Sequence, residues 1–448
     1  MSFREFNYTS LDEVISDAQN MNINLDFSRD LSILGKKHNI SGYIVPNSLV
    51  FHPMEGCDGN FDGSPAELTF RRYERFAKGG AGLLWFEATA VVHAGRAYPR
   101  QLWLNENNIS EFQRLFSKIM SDSRNEFGDE HNMVSIMQLT HSGRFSKPDG
   151  KPAPVLACHN PYLDEKQNID PDLPVISDDE LERLEETFEN AAVLAKRIGF
   201  HGVDIKCCHR YLNSGLLSAY TRKGRYGETF EGRTRFLLNI IDRIKSRLGK
   251  DFIATTRINI YDGIPYPYGW GVDKEDYTKP DFTEPVKLIK MLYDRGVPVI
   301  NVTMGTPYYN PHVNRPYDKG GYIPEEHPLK GIARLVEGAA QIQKAVPGMA
   351  VVGTGYSWLR QFSPYLAAGS LLNGKATLIG YGRESFAYPD FAKDILQSGG
   401  LNKGKCCITC GKCTELMRAG AVVGCVVKDS GIYAPLYKEY VLEKSKKA

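Results

Sequence analysis

No stretch of this 448-residue chain approaches the roughly 18 to 20 consecutive apolar residues that a membrane-spanning helix needs. The opening segment, MSFREFNYTSLDEVISDAQNMNINLD, lacks the apolar core of a signal peptide. Neither charge is in excess: 55 basic residues face 53 acidic ones, for a net charge of +2. That balance gives no electrostatic reason to expect nucleic acid or an anionic membrane as partner. Low-complexity linkers are absent, as is any repeat beyond an alternation of strands and helices. Cysteine is scarce before residue 406, where only Cys57, Cys158, Cys207 and Cys208 occur, and buried thiols are the reading for these four. A secreted disulfide framework would spread its cysteines through a small domain. The expectation is a soluble, cytoplasmic protein.

What is present supports a large core. Hydrophobic residues make up 42% of the chain and charged residues 24%, an ordinary globular balance. Eight short apolar runs read as strands, at residues 49–53, 82–87, 133–139, 202–206, 252–257, 298–303, 350–353 and 377–380. Most are continuous and not alternating, as expected of parallel strands buried on both faces. Helix signals fill the gaps. Ser177 and Glu180 form a capping-box pattern, and Leu181, Leu184, Phe188, Ala191, Ala195 and Ile198 follow at helical spacing before Gly199. Phe236, Leu237, Ile240, Ile241, Ile244 and Leu248 repeat the pattern up to Gly249.

Strand and helix alternating about eight times predicts an α/β fold, a (β/α)8 TIM barrel. A doubly wound open sheet is the alternative. It is disfavoured by the lack of a Gly-x-Gly-x-x-Gly turn after the first strand. Residues 1–45 read as an N-terminal capping arm, 46–395 as the barrel, and 396–448 as a C-terminal segment with a charged, frayed tail, KEYVLEKSKKA.

Five of the nine cysteines fall within residues 406–425, GKCCITCGKCTELMRAGAVVGC in its surroundings. Cys407, Cys410 and Cys413 are separated by two residues each, and Cys425 follows after eleven intervening residues. Such spacing suits an iron–sulfur cluster, and four thiolates also suit tetrahedral zinc. Cys406 is a spare that spacing alone does not exclude as the first ligand.

Several segments together resemble the old yellow enzyme family of FMN barrels. NSLVFHPMEGCDG (47–59) is similar to its first strand and loop, and RRYERFAKGGAGLLWFEATAV (71–91) to its second unit. QLTHSGR (138–144), GFHGVDIKCCHRYLNSGLLS (199–218) and RYGETFEGRTRF (225–236) resemble its central motifs. VVGTGY and LIGYGRESFAYPDF resemble its two phosphate-binding ends. The cysteine segment is similar to the iron–sulfur branch of that family, which contains 2,4-dienoyl-CoA reductase and trimethylamine dehydrogenase.

The resemblance implies FMN, a [4Fe–4S] cluster on Cys407, Cys410, Cys413 and Cys425, and NAD(P)H as electron donor. It implies that Pro53, Met54 and Glu55 flank the flavin and that Gln138 meets its pyrimidine edge. Arg257 would face its N1 and O2 atoms, where a fixed cation stabilises the anionic reduced flavin. Gly353, Thr354, Gly355, Gly382 and Arg383 would hold the phosphate. At the substrate, Lys206 stands where the family has a histidine, His209 at the second position, and Tyr211 at the family's tyrosine. Tyr211 would give a proton to the α-carbon after hydride reaches the β-carbon. The departure at Lys206 puts carbonyl recognition of the usual kind in doubt.

The family's longer members continue into domains that bind a second nucleotide, whereas this sequence ends 23 residues after Cys425. The expectation is direct reduction by NAD(P)H or a separate electron-transfer protein. An exposed cluster also suggests an anaerobic setting. The leading functional expectation is an ene-reductase acting on an enone or enoate with a bulky or planar aromatic frame. Aromatics at the mouth, among them Tyr308, Tyr309, Tyr266, Tyr268 and Trp270, motivate the flat substrate. The alternatives are an amine or alcohol dehydrogenase passing electrons out through the cluster, and a non-enzymatic module bearing zinc or a cluster.

Overall fold

All eight apolar runs form parallel strands of one barrel. In the computed structural model, which describes residues 5–318 and 320–443, two short antiparallel strands come first, β1 (His38–Ile40) and β2 (Tyr43–Val45). The barrel follows with β3 (Leu49–Phe51), β4 (Leu83–Ala90), β5 (Val134–Thr140), β6 (Gly202–Ile205), β7 (Ile253–Thr255), β8 (Arg257–Asn259), β9 (Val299–Thr303), β10 (Ala350–Gly353) and β11 (Leu378–Tyr381). β11 pairs with β3, and β7 and β8 are two halves of one strand, so the sheet closes into a (β/α)8 barrel.

Two strands differ from the sequence expectation. The second runs three residues past Glu87, with a register shift between Phe86 and Thr89. The fifth breaks at Thr256. There the Arg257 amide donates to Asp204 Oδ1 (2.6 Å), a side chain, instead of to a strand carbonyl. Closure is kept by the Cys207 amide, which donates to the Arg257 carbonyl (2.9 Å), and by the Asn301 amide, which donates to the Thr256 carbonyl (3.2 Å).

Local chemistry explains the long helices. Helix Asp178–Ile198 starts on a reciprocal capping box, in which the Glu180 amide donates to Ser177 Oγ (3.2 Å) and the Ser177 amide to Glu180 Oε2 (2.9 Å). It ends on Gly199 at φ +118°, a left-handed conformation that favours glycine. Helix Phe230–Leu248 is capped by Thr229 Oγ1, which accepts from the Gly232 amide (3.0 Å).

The barrel interior is apolar below and polar above. Val50, Leu83, Trp85, Val134, Ile136, Ile253, Val299, Val352 and Leu378 fill the lower layers. Ile40 and Val45 of the β1–β2 hairpin join this cluster and plug the N-terminal end of the barrel. Farther out along the arm, Phe6 stacks edge-on against Trp358, and its amide donates to Asp318 Oδ2 (3.0 Å).

The cysteine segment folds back over the opposite, C-terminal end. Helices Lys412–Arg418 and Ser430–Tyr437 carry Leu416 and Tyr433 into a small core with Val422 and Val426. Asp429 anchors the segment to helix Glu67–Ala77, accepting from Arg71 Nη1 and Nη2 (2.7 and 2.9 Å) and from Arg75 Nη1 (2.5 Å). The tail expected to be frayed is instead a π-helical turn over Lys438–Glu443, with Tyr440 and Val441 packed on that core; residues 444–448 lie outside the described residues. Among the described residues no helix is long and apolar enough to cross a membrane.

Candidate active site

The C-terminal ends of the strands and the cysteine segment enclose a cleft of about 1060 Å³. His52, Pro53, Met54 and Glu55 reach it from the end of β3, and Arg257 from β8. His209 and Tyr211 come from the loop after β6, Thr354 and Gly355 from the loop after β10, and Gly382 and Arg383 from the loop after β11. Three of the sequence-derived candidates are not on its wall. Lys206 lies behind it, with its side chain 3% exposed. Gly353 sits at the end of β10 beneath Tyr356, whose hydroxyl would be 2.9 Å from a Cβ placed there. Gln138 is buried in the polar layer below, donating to Asp204 Oδ2 (2.6 Å).

Asp204 organises that layer. It also accepts from Trp85 Nε1 (2.6 Å) and from the Arg257 amide. Burial pushes its carboxyl up to about 6, against the pull of these donors.

Arg257 is a buried cation without a counter-ion. Its side chain has no carboxylate within ion-pair distance among the described residues, and its Nε has no hydrogen-bond partner. Next to it, His52 Nδ1 accepts from Asn301 Nδ2 (3.1 Å), and His52 Nε2 is buried without a partner. Burial first, and then the Arg257 charge, hold the His52 imidazole well below its ordinary pKa. A Cβ at Gly380 would stand 2.1 Å from the His52 ring, so only glycine leaves this part of the wall open. Gly380→Ala is expected to cost about 1–3 kcal/mol through overpacking and to lower the flavin content of the purified protein. Flavin-to-protein absorbance ratios and thermal unfolding check it.

A second cationic corner lies between the cleft and the cysteine segment. Arg315, from the loop after β9, and Arg383 face the same space. Burial, and then repulsion from Arg383, bring the Arg315 guanidinium down to about 10. Arg315 Nη1 donates only to the neutral Thr414 Oγ1 (2.9 Å). Gly355 turns here at φ +103°, with Leu335 2.6 Å from where a Cβ would be. Two arginines that repel each other, beside a glycine turn, suit an anion of more than one charge.

Glu55, Tyr211 and Tyr308 also line the cleft, with an ion pair and two phenols among their contacts. Lys206 Nζ lies 2.8 Å from Glu55 Oε1, with side chains 3% and 13% exposed. The ammonium sits 3.9 Å from the centroid of the Tyr211 ring. The hydroxyls of Tyr211 and Tyr308 share a hydrogen bond (3.1 Å), and Phe145 stacks on Tyr308 at 3.8 Å between centroids. Burial, reinforced by Glu55 and Tyr308, holds the Tyr211 phenol well above its ordinary pKa, so it is a protonated donor at neutral pH.

The turn that presents Tyr211 is strained. His209 and Arg210 are consecutive non-glycine residues at φ +62° and +64°. They are held by the buried ion pair of Arg210 Nη1 with Asp262 Oδ2 (2.8 Å) and by the His209 amide, which donates to Asn259 Oδ1 (3.3 Å). His209 Nε2 lies 3.3 Å from Asn314 Nδ2. Burial, Arg257 and Lys206 hold this imidazole well below its usual pKa.

The loop carrying Pro53, Met54 and Glu55 is fastened from behind. Arg72 Nη2 donates to Asp58 Oδ1 (2.8 Å) and Glu87 Oε1 (2.6 Å), and Glu87 Oε2 accepts from the Gly56 amide (2.9 Å). The Val423 amide of the cysteine segment donates to the Gly56 carbonyl (2.7 Å). The same loop is therefore gripped from both sides.

Cys407, Cys410, Cys413 and Cys425 line one smaller cavity of about 370 Å³, and Cys413 also lines the main cleft. Cys406 points elsewhere, with its Sγ 3.4 Å from the Asn402 carbonyl. The Thr409 amide donates to Cys407 Sγ (3.4 Å) and the Lys428 amide to Cys425 Sγ (3.3 Å). Among the described residues no group of three or more His, Cys, Asp or Glu side chains has a geometry that would hold a metal ion. The four thiols surround a space without converging on a point.

Two residues at the cleft escape the sequence reading. His52 lies inside a motif yet reads as strand, and Arg315 lies in a loop with no motif at all. Only its position beside Arg383 in space marks it.

The chain is similar to several known proteins. The chain is 26% identical over 421 residues to NADH oxidase of Thermoanaerobacter brockii, covering 90% of this chain and 58% of that one. It is 26% identical over 424 residues to cinnamate reductase of Clostridium sporogenes, with the same two shares. It thus spans less than two thirds of the length of these relatives. Its fold matches 2-naphthoyl-CoA reductase, solved in complex with 2-naphthoyl-CoA, at a TM-score of 0.72 and 19% identity, over 92% of this chain and 58% of that one. Residues 42–402, which span the barrel and every cleft residue up to Phe386, match one family model. On that match the chain belongs to the NADH:flavin oxidoreductase / NADH oxidase family.

Proposed function

We propose that this chain is an FMN-dependent ene-reductase that saturates an activated C=C bond, with NAD(P)H or a separate electron-transfer protein as donor. The observation that carries the reading is one cleft lined both by an unpaired buried cation and by a protonated tyrosine pair.

The residues present fit FMN. Arg257 offers an orphaned guanidinium to an anionic ring edge, and Arg315 and Arg383 offer a doubly cationic corner to a phosphate. Met54 and Glu55 flank the space between, and Gly380 keeps it open. Gln138 is engaged by Asp204 and is left out of the proposed contacts. Reduced FMN, when bound, supplies the hydride.

The protein's own part is protonation. The Tyr211 O–H bond breaks as the C–H bond forms at the substrate α-carbon. Tyr308 then donates to the phenolate oxygen. Neutral His209 offers a ring N–H to a substrate carbonyl. We further propose that Cys407, Cys410, Cys413 and Cys425 hold a [4Fe–4S] cluster. Support comes from the space they share and from the two amides that donate to their sulfurs.

Replacing Arg257 by Met removes a charge-assisted contact of about 1.5–3 kcal/mol, so FMN is expected to bind roughly 10- to 100-fold more weakly. Fluorescence titration of the apoprotein with FMN measures this. The function itself is tested by reducing the anaerobic protein with NADH or NADPH and adding enones and enoates. Return of the flavin absorbance with formation of the saturated product is the expected result. A flavin that ignores every alkene, yet bleaches with an amine or alcohol, contradicts it. A colourless protein containing zinc contradicts it as well.

A further inference from the structure

Three arginines line the cleft and Lys206 lies behind its wall; on the FMN reading each arginine has a ligand charge to meet, Arg257 the ring edge, Arg315 and Arg383 the phosphate. Lys206 is different. Its partner is already in the protein, Glu55 Oε1 at 2.8 Å, and both side chains are nearly buried. Glu55 also lines the cleft, and its second oxygen, Oε2, is buried without a hydrogen-bond partner. The wall beside Tyr211 therefore carries a neutral pair, Glu55 on the cleft and Lys206 behind it, and no unpaired ammonium.

We propose that Glu55 is the specificity-determining residue of the substrate end: by neutralising Lys206 it selects alkenes activated by a neutral carbonyl and rejects unsaturated acids in their carboxylate form. A carboxylate entering beside Tyr211 meets the like-charged Glu55 on the wall, and the only ammonium near it is already paired. A ketone, aldehyde, ester or thioester meets neither cost. Ion pairs of this kind can also be merely structural, so the test reads charge selectivity and not activity alone. The inference rests on the ene-reductase reading for its substrate.

The test uses the FMN-loaded protein and matched probes. Dissociation constants are measured from flavin absorbance changes for 3-phenylpropanoate and its methyl ester. Reoxidation rates of the reduced protein are measured with cinnamate and methyl cinnamate. The wild type is expected to bind the ester more tightly than the acid. In Glu55→Gln the freed ammonium gains the acid about 10- to 100-fold relative to the ester, the worth of one charge-assisted hydrogen bond. The double variant Glu55→Gln/Lys206→Met leaves no buried unpaired charge, and its acid-to-ester ratio is expected between the other two. It still reads the Glu55 charge if the single variant fails to fold.

Equal binding of acid and ester by the wild type overturns the proposal, as does a ratio that neither variant changes. If no alkene reoxidises the flavin, the ene-reductase reading fails. The binding ratios then still decide the role of Glu55.

Discussion

With phenylalanine in place of Tyr211, alkene-dependent reoxidation of the reduced protein is expected to slow by about 10²–10⁴-fold, the usual contribution of a positioned proton donor. The loss falls on this half of the cycle more than on reduction by nicotinamide, because only the former needs a proton at carbon. Stopped-flow absorbance separates the two. The pH profile carries a second signature. Burial and the nearby Glu55 raise the Tyr211 pKa, so the donor form is retained as pH rises. The wild-type rate is expected to stay flat from about pH 6 to 9, below the ordinary phenol pKa of about 10. Removing only the partner, in Tyr308→Phe, leaves the donor in place. It should cost roughly 2- to 10-fold, the value of a single neutral hydrogen bond of about 0.5–1.5 kcal/mol.

Replacing Arg72 by Met is expected to destabilise the fold by about 3–5 kcal/mol, because two buried carboxylates lose their shared partner. Asp58 and Glu87 are 1% exposed, and both accept from Arg72 Nη2. Thermal or denaturant unfolding reads the loss. Flavin content should fall with it, since Glu87 also fixes the Gly56 amide behind Met54 and Glu55. The pH dependence has a definite sign. Burial raises the Glu87 carboxyl to about 7 even with Arg72 present. A raised carboxyl in the folded state means stability lost as pH climbs from the unfolded value of about 4.5. Without Arg72 that loss is larger, so the deficit of the variant should widen from about pH 5 to pH 8 and narrow on acidification. Arg72→Lys keeps the charge without the forked geometry and should lie between the two.

Much of the fold is legible because burial on both faces writes parallel strands as continuous apolar runs. The runs at 49–53 and 350–353 need no other information. The break in the fifth strand is not legible, because its cause lies 53 residues away. Asp204 on β6 takes the amide that Arg257 would have given to the sheet. The same limit governs the cleft. Tyr211 stands in a local motif and can be singled out from it. Lys206 can be seen to differ from the family, but its pairing with Glu55 joins residues 151 positions apart. That pairing decides what the lysine does. Gln138 reads as a strand-end amide aimed at a ligand, yet Asp204 holds it in the layer below. For the adjacent Cys406 and Cys407, spacing leaves either as the first of four. The backbone separates them by turning Cys406 towards Asn402.

The central claim is that this cleft adds hydride and proton across an activated alkene, with the proton delivered at the α-carbon. Turnover of an enone in D2O, with the product examined by NMR and the saturated ketone incubated alone as an exchange control, tests it most directly. The account predicts saturated product with deuterium at the α-carbon beyond the control, formed far more slowly by Tyr211→Phe. Reoxidation of the flavin without saturated product, or a product whose α-carbon carries no solvent deuterium, would contradict it.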